Sequence, residues 1–277
     1  MPRVFLITGT STGFGKHLVQ EVIDKGDIAV ATARNPSTLS FENTNPKNYF
    51  AVKLDVIVPK DIDLAFSAAL EQFGRVDVVI NNAGYSLSGP FEELSDTQIK
   101  KQMDVNFFGL MAVTRKAMQV MREQQPCGGL IQQVTSIGGQ LGLPTYSIYC
   151  ASKWAIEGFT EAISHEVLPT WNINFTLIEP GAFRTDIAGR SMEYATHRHP
   201  AYEHIDARKN SSQFHGIQPG DPVKGAKAMY ELAIMEKPPL RVVPGNAAYE
   251  MVMEKLKRDK EGYTRFETLS RRTEVDA

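Results

Sequence analysis

The chain reads Val4-Phe5-Leu6-Ile7-Thr8-Gly9-Thr10-Ser11-Thr12-Gly13-Phe14-Gly15 near its start. The apolar run over Val4–Thr8 predicts a buried strand, and helical periodicity over Phe14–Lys25 predicts a helix directly after it. Glycines at such a turn let the backbone approach a pyrophosphate, whose charge is favoured at a helix N-terminus. The stretch therefore predicts a dinucleotide-binding turn at the start of an α/β sheet.

The spacing of these glycines is G-x-x-x-G-x-G, which differs from the general G-x-G-x-x-G fingerprint. The stretch is not a P-loop, because the first glycine is one residue too far from Gly15-Lys16 and His17 replaces the magnesium-binding Ser or Thr. A plain glycine-rich turn is the alternative. Its position after the first strand of an alternating pattern favours the nucleotide interpretation.

Strand and helix patterns alternate through the rest of the chain. We expect a single α/β domain of the Rossmann type, doubly wound, with a seven-stranded, mainly parallel sheet flanked by helices. The predicted strands are Val4–Thr8, Ile28–Ala33, Phe50–Leu54, Val76–Ile80, Leu130–Val134, Ile173–Ile178 and Leu240–Val243. The predicted helices are Phe14–Lys25, Asp61–Phe73, Asp96–Arg122, Ile148–Leu168 and Val223–Met235.

Two segments depart from this alternation. Residues 182–219 are long, polar and irregular, and such loops in compact domains are usually functional lids or disordered. Residues 246–277 are charged, and we expect one helix over Glu250–Arg272. Since no low-complexity linker divides the chain, we assign residues 1–245, lid included, to the Rossmann domain and the remainder to a C-terminal helical extension.

The composition of the chain argues against several classes of binding partner. A net charge of −2 over 277 residues gives no reason to expect nucleic acid or an anionic membrane. The early apolar run Val4–Ile7 is too short for a signal peptide or a membrane span. Cys127 and Cys150 are not spaced as a metal or redox motif, so we expect a reduced, cytoplasmic setting.

Tyr149 and Lys153 have the spacing of an acid–base pair. On a helix they lie one turn apart on the same face. The cation favours the phenolate of a group whose unperturbed pKa is about 10. Ser136 follows the strand Leu130–Val134, where its hydroxyl is placed to hold a carbonyl oxygen against the phenol. Together these residues predict a reduction site if a hydride donor is near.

The same spacing recurs at Tyr49 and Lys53, where it has a different meaning. That copy lies in a predicted strand, in which residues four apart are separated by ~13 Å. We therefore assign no chemistry to it.

Arg34 follows the second strand, about twenty residues beyond the glycine-rich turn. An acidic residue there selects NAD through the ribose hydroxyls, whereas an arginine pairs with the 2′-phosphate of NADP. The chain has Arg34 and no acid in place, which predicts NADP(H). A simple surface charge is the alternative.

Taken in order, these motifs resemble the classical short-chain dehydrogenase/reductase family, over roughly residues 3–245. The matching segments are Thr8–Gly15, Leu54-Asp55-Val56, Asn81-Asn82-Ala83-Gly84, Asn106, Ser136, Tyr149 with Lys153, and Pro180-Gly181 with Thr185. Arg34 resembles the NADP-preferring branch, and the Glu179–Thr185 segment and C-terminal extension resemble carbonyl reductases and hydroxysteroid or retinol dehydrogenases.

The resemblance implies a role for each catalytic residue. Tyr149 is the acid of reduction and the base of oxidation, and Lys153 binds the nicotinamide ribose and lowers the pKa of Tyr149. Ser136 polarises the substrate carbonyl, and Asn106 holds a water that links Lys153 to solvent. The implied cofactor contacts are Gly9, Ser11, Gly13, Phe14, Gly15, Arg34, Asp55, Asn82, Ala83, Gly84, Tyr149, Lys153, Pro180, Gly181, Phe183 and Thr185.

We therefore expect an NADP(H)-dependent oxidoreductase acting on a lipophilic ketone, aldehyde or secondary alcohol. The candidate pocket walls are mainly apolar: Ile137, Leu141, Leu143, Pro144, Tyr146, Phe183, Met192, Tyr194 and Phe214. No metal is expected, because hydride transfer needs none and the lid histidines His197, His199, His204 and His215 read as solvated.

Two other functions remain open, a non-catalytic NADP-binding sensor or scaffold and a dehydratase or epimerase that uses the same acid–base set. The resemblance also implies a homodimer or homotetramer assembled through the helices predicted at Asp96–Arg122 and Ile148–Leu168. Its apolar surface is expected from Ile99, Met103, Leu110, Met118 and Phe159.

Overall fold

The computed structural model describes residues 1–275, in which strands and helices alternate as predicted. The strands are β1 (Val4–Ile7), β2 (Ile28–Ala33), β3 (Tyr49–Lys53), β4 (Val78–Asn81), β5 (Ser86–Ser88), β6 (Gly129–Val134), β7 (Ile173–Ile178), β8 (Met192–Tyr194) and β9 (Arg241–Val242). The helices are α1 (Gly13–Asp24), α2 (Pro59–Phe73), α3 (Asp96–Met103), α4 (Leu110–Glu123), α5 (Ser147–Glu166), α6 (Ala207–Phe214), α7 (Pro222–Ile234), α8 (Asn246–Arg265) and α9 (Glu267–Arg271).

Seven of the strands form one sheet in the order β3-β2-β1-β4-β6-β7-β9. Every pairing in it is parallel, which confirms the predicted Rossmann-type architecture. The strand order reverses between β1 and β4. Ligands of open α/β sheets bind in the crevice at the carboxyl ends of the strands beside such a reversal.

The sheet is covered on both faces, as the all-apolar sequence of β1 requires. Val4 and Leu6 pack into a core with residues of α2 and α4. Phe5 and Ile7 pack on the opposite face with residues of α1 and α7. Because successive side chains of a strand alternate between faces, four apolar residues in a row serve two separate cores. The glycine-rich turn therefore begins at a fully buried strand.

The long helix predicted at Asp96–Arg122 is not uniformly α-helical. A π-helical segment, Asp104–Gly109, joins α3 to α4 and carries Asn106. Such wide turns are frequent at functional sites. At its end, Gly109 packs against Val56 so closely that a Cβ there would lie 2.6 Å from Val56 Cγ2. Periodicity alone did not reveal the wide turn, because the apolar pattern continues through it.

The segment predicted as a polar lid, residues 182–219, is more ordered than its composition suggests. It contains β8, which pairs in parallel with β5 outside the main sheet, and the helix α6. The C-terminal segment forms α8 and α9 in place of a single helix. Of residues 1–275, no helix combines the length and apolar character that crossing a membrane requires.

Candidate active site

The glycine-rich turn is shaped by close backbone contacts. Gly9 has φ of +70°, and a Cβ there would lie 2.8 Å from Ala83 Cα. A Cβ at Gly15 would lie 2.4 Å from the carbonyl oxygen of Gly9. A side chain fits at neither position. The turn is thus compact because Gly9 and Gly15 lack side chains, and its backbone faces the cavity at the carboxyl edge of the sheet.

Asn82 holds the turn in this shape. Its side-chain amide donates to the carbonyl oxygens of Thr8 and Gly9, at 2.9 and 3.0 Å. The Thr8 hydroxyl in turn accepts hydrogen bonds from the backbone amides of Asn82 and Ala83, both at 3.0 Å. The Asn82 side chain therefore supports the turn from behind.

The N-terminus of α1 suits an anion. Thr12 precedes the helix without a capping hydrogen bond from its side chain, and the first turn carries no acidic residue. The first amide groups of a helix lack partners within it and carry partial positive charge. Ser11, Thr12 and Gly13 line the same cavity. The donors present here therefore fit a pyrophosphate.

Arg34 and Asp55 line the far end of the cavity. Arg34 is exposed at the end of β2, and within the described chain its guanidinium makes no hydrogen bond or ion pair. Asp55 is half-buried and its Oδ1 accepts a hydrogen bond from the amide of Ile57 at 3.2 Å. This end of the cavity therefore offers an exposed cation and an ordered carboxylate.

The four predicted catalytic residues converge at the opposite end. A Cβ at Gly138 would lie 3.2 Å from Tyr149 Cε1 and 3.5 Å from Ser136 Oγ. A Cβ at Gly84 would lie 3.2 Å from Asn106 Oδ1 and 3.9 Å from Lys153 Nζ. Because Gly84 and Gly138 have no side chains, residues from α5, from the end of β6 and from the π-helical segment can approach one another here.

Lys153 is held in the interior. Its Nζ donates to the carbonyl oxygen of Val134 at 2.9 Å and lies 5.7 Å from the centre of the Tyr149 ring. Ser136 precedes a 3₁₀ turn, and its hydroxyl accepts from the amide of Gly138 at 3.0 Å. These contacts fix the ammonium and the hydroxyl near the phenol.

Asn106 organises the segment after Asn81–Gly84. Its Oδ1 accepts from the amide of Tyr85 at 3.1 Å, and its Nδ2 donates to the Tyr85 carbonyl oxygen at 3.0 Å. The same Nδ2 donates to Ser152 Oγ at 3.3 Å, which ties the segment to α5. The side chain thus acts as a structural bridge, while its expected role in holding a water stays a prediction.

Burial dominates the electrostatics of this site. It raises the pKa of Tyr149 to about 12, and the nearby Ser136 hydroxyl opposes part of that rise. Burial also lowers the pKa of Lys153 to about 8, and the charge of Glu157 acts in the opposite direction. The pKa of Tyr149 therefore lies above its ordinary value in this state, because the loss of hydration penalises the phenolate, and the expected lowering of that pKa by Lys153 stays a prediction.

The segment after β7 closes the cavity from the side. Pro180, Gly181, Phe183 and Thr185 all line it. Phe183 is nevertheless buried, and its ring centre lies 4.9 Å from that of Phe14 in an edge-on contact. Phe183 and Phe14 hold the glycine-rich turn against this segment through packing.

The cavity has a volume of about 720 Å³ and a mixed lining. Of the predicted apolar walls, Phe183 and Met192 line it, whereas Ile137, Leu141, Leu143, Pro144, Tyr146, Tyr194 and Phe214 are not among the lining residues. Phe214 is 64% exposed, and Tyr146 packs edge-on against Tyr149. Residues not predicted from the sequence also line the cavity: Tyr85, Lys101, Ile187, Arg190 and Glu193.

The lid is joined to the body by an ion pair beside the site. Lys101 Nζ on α3 lies 2.6 Å from Glu193 Oε2 on β8, and Gln98 Nε2 donates to the Tyr194 carbonyl oxygen at 2.9 Å. These contacts join residues that are far apart in the sequence, so the spacing of residue types along the chain could not predict them. Within residues 1–275, no group of three or more His, Cys, Asp or Glu residues is arranged to hold a metal.

A glycine-rich turn after β1 and a Ser-Tyr-Lys-Asn set at the carboxyl edge define a Rossmann-type oxidoreductase. The chain belongs to the short chain dehydrogenase family, whose model matches residues 3–195.

An uncharacterized oxidoreductase of Schizosaccharomyces pombe is 39% identical, covering 89% of this chain and 83% of its own. A 3-ketodihydrosphingosine reductase of Bacteroides thetaiotaomicron is 35% identical over 70% of this chain and 72% of its own. The crystal structure of a short-chain dehydrogenase from Streptomyces avermitilis superposes with a TM-score of 0.88 at 33% identity, covering 99% of this chain and 100% of the other.

Proposed function

We propose that the protein is an NADP(H)-dependent oxidoreductase that interconverts a lipophilic ketone or aldehyde and the corresponding alcohol. One observation carries the proposal: a single cavity holds Ser136, Tyr149 and Lys153 at one end and Arg34 at the other, with the glycine-rich turn between them. That arrangement suits an extended dinucleotide with its reactive ring at the catalytic end.

The choice of NADP(H) rests on Arg34. Its free guanidinium suits a bidentate contact with a 2′-phosphate. Gly9, Ser11, Gly13 and Gly15 would accommodate the pyrophosphate at the N-terminus of α1. The remaining contacts expected from the family resemblance, Asn82 to Gly84 and Pro180 to Thr185, line the cavity between these ends or support it from behind.

In the proposed reaction, bound nicotinamide supplies the hydride. Ser136 would hold the substrate carbonyl oxygen by donating its hydroxyl hydrogen. Tyr149 would then transfer its phenol proton to that oxygen and be left as a phenolate beside the Lys153 ammonium. With its raised pKa, Tyr149 is protonated at neutral pH, the form that the acid of reduction requires.

The substrate class follows from the lining near Tyr149. Phe183, Ile187 and Met192 provide apolar surface, and Lys101, Arg190 and Glu193 stand among the other lining residues. We propose a substrate with an apolar body. The bacterial relative named for a 3-keto sphingoid reduction agrees with a long-chain carbonyl compound, although other lipophilic ketones fit equally.

Two alternatives use the same fold. A dehydratase or epimerase would need the acid–base set without net cofactor turnover, and a sensor or scaffold would bind NADP without chemistry. A screen of NADPH oxidation over ketones, aldehydes, steroids and quinones separates them. We expect turnover that is lost in Tyr149→Phe and retained in the matched surface variant Tyr249→Phe. Binding of NADPH without oxidation across the panel would contradict the proposal.

A further inference from the structure

A buried pair of carboxyl groups lies behind the catalytic helix. Glu157, one turn after Lys153 on α5, is 4% exposed, and Glu179 at the end of β7 is 1% exposed. Carboxylates at such depth need charged or hydrogen-bonded partners. Arg241 on β9 provides one, because its Nε lies 3.1 Å from Glu157 Oε2 and 3.6 Å from Glu179 Oε1.

Two uncharged donors complete the cluster. The Thr135 hydroxyl donates to Glu157 Oε1 at 2.7 Å, and Gln140 Nε2 donates to Glu179 Oε1 at 3.2 Å and to Glu157 Oε2 at 3.4 Å. Thr135 directly precedes Ser136, and Glu179 directly precedes the Pro-Gly turn at the cavity. Segments that carry site residues thus also contribute to the cluster.

One of the two carboxyl groups keeps its proton at neutral pH. Burial, followed by the charge of Glu157, raises the pKa of Glu179 to about 8. Burial also raises the pKa of Glu157, but hydrogen bonds from Thr135 and Arg241 oppose the rise. We therefore assign the negative charge of the pair to Glu157 and the shared proton to Glu179.

The charge of Glu157 acts on Lys153. Burial penalises the ammonium, and Glu157 is the group that opposes this effect. Tyr149 lies beside the ammonium on the same helix. The charged and titratable groups packed around Glu157 come from the neighbouring elements: Glu179 directly after β7, Arg241 on β9 and, through Arg241, Glu161 on α5. Glu161 lies on the solvent side of Arg241, with half of its side chain exposed.

We propose that Glu157 is a positioning residue whose carboxylate keeps the buried Lys153 ammonium charged, while Glu179 serves as its neutral hydrogen-bond partner beside Arg241. The inference rests on the role proposed for Lys153 at the phenol and the cofactor. It extends that proposal because neither carboxyl group nor Arg241 is among the residues that line the cavity.

The test follows the Lys153 amine directly in the protein without cofactor. NMR of protein with ¹³C at the lysine ε-carbons reports each amine titration, and Lys153→Met identifies the signal. We expect a midpoint near pH 8 in the wild type. In Glu157→Gln/Glu179→Gln the midpoint should fall by about 0.5 or more on the pH scale. Glu157→Gln alone should shift it less, because Glu179 ionises more readily beside a neutral neighbour.

Glu161→Gln is the matched control, since it removes an Arg241 partner from the same helix, and it should leave the Lys153 midpoint unchanged. A midpoint that stays at the wild-type value in the double variant overturns the proposal. If thermal melting shows that this double variant does not fold, Glu157→Gln/Glu179→Met, which also removes both carboxyl groups, is measured in its place by the same criterion.

The pH profile of kcat/KM gives a second readout. Its alkaline limb should move to lower pH in parallel with the Lys153 midpoint, whereas a purely structural defect lowers kcat/KM equally at every pH. The two proposals fail differently. Absence of NADPH oxidation in the wild type counts against the proposed function, while an unmoved amine titration counts against the role of Glu157.

Discussion

Asn82 and Gly9 are joined by a hydrogen bond of 3.0 Å from the side-chain amide to the backbone carbonyl oxygen. The contact connects the Asn-Asn-Ala-Gly segment after β4 to the glycine-rich turn after β1, two neighbouring strands. Two motifs that are more than seventy residues apart in the chain therefore form one surface. A change in either motif is expected to disturb the other, because the Asn82 side chain is hydrogen-bonded to two carbonyl oxygens of the turn.

The proposed acid is tested by Tyr149→Phe, which removes the phenol hydroxyl and leaves the ring. Turnover should fall at least about a hundredfold, the usual scale for loss of general acid catalysis. Binding of NADPH, measured by fluorescence titration, should survive. Near-normal turnover in this variant would rule out Tyr149 as the proton donor.

Cofactor choice is tested by Arg34→Asp. The variant loses a charge-assisted pair and gains a repulsion, so the dissociation constant of NADPH should rise about tenfold or more. The constant for NADH should change much less. Lys47→Asp introduces the same charge change at an exposed position outside the cavity and serves as the control. Equal losses for the two cofactors would show that Arg34 does not contact the phosphate.

The buried acid makes a prediction about stability and pH. The pKa of Glu179 is raised to about 8 in the folded chain, above its value in the unfolded chain. The stability that the protonated Glu179 gives to the folded chain is fully present below the pKa of the unfolded state. It is lost as the pH rises through the pKa of the folded state. Between roughly pH 4.5 and 8, Glu179→Gln should therefore gain stability relative to the wild type. Urea unfolding at several pH values measures the difference, and a constant difference would contradict the assignment.

Ligands should slow amide hydrogen exchange in one part of the lid and leave it unchanged in another. β8 is already paired with β5 and held by Lys101, so its amides should exchange slowly in the empty protein. The part around α6 carries the exposed side chains of Phe214 and Ile217. Its exchange should slow when NADP and a substrate analogue bind together, and less with NADP alone. Residues of α7 provide an internal control. Full protection around α6 in the empty protein would indicate a fixed scaffold.

Assembly is expected to involve the outer faces of α4 and α5 and the π-helical segment. The predicted contact residue Leu110 is buried in the core, and Met118 and Phe159 pack partly against it. The exposed apolar side chains there are instead Phe108 and Trp154. Light scattering should show the mass of a dimer or tetramer. The Phe108→Glu substitution should weaken the association and lower that mass. Phe91→Glu, on another exposed surface, should leave the mass unchanged, and a wild-type monomer would contradict the expectation.

The sequence predicted those parts of the site that depend on local spacing. The glycine-rich turn joins two consecutive elements, β1 and α1, and the Tyr149–Lys153 pair lies within α5, so their geometry follows from strand and helix repeats. The pairing of β8 with β5 and the approach of Glu179 to Glu157 depend on tertiary packing, which spacing does not report. The rise in the pKa of Tyr149 was not foreseen for the same reason, because its burial is a property of the whole cavity.

The π-helical segment Asp104–Gly109 has a geometric consequence for the whole long helix. A π turn holds one residue more than the α turn it replaces, so it rotates the following helix by about 100° relative to an uninterrupted one. This change of phase lets Gln98 and Gln102 on α3 turn towards the lid and Tyr85, while Val113 and Ala117 on α4 still face the core. Deleting one residue there would restore a regular helix and force one of these two faces out of register.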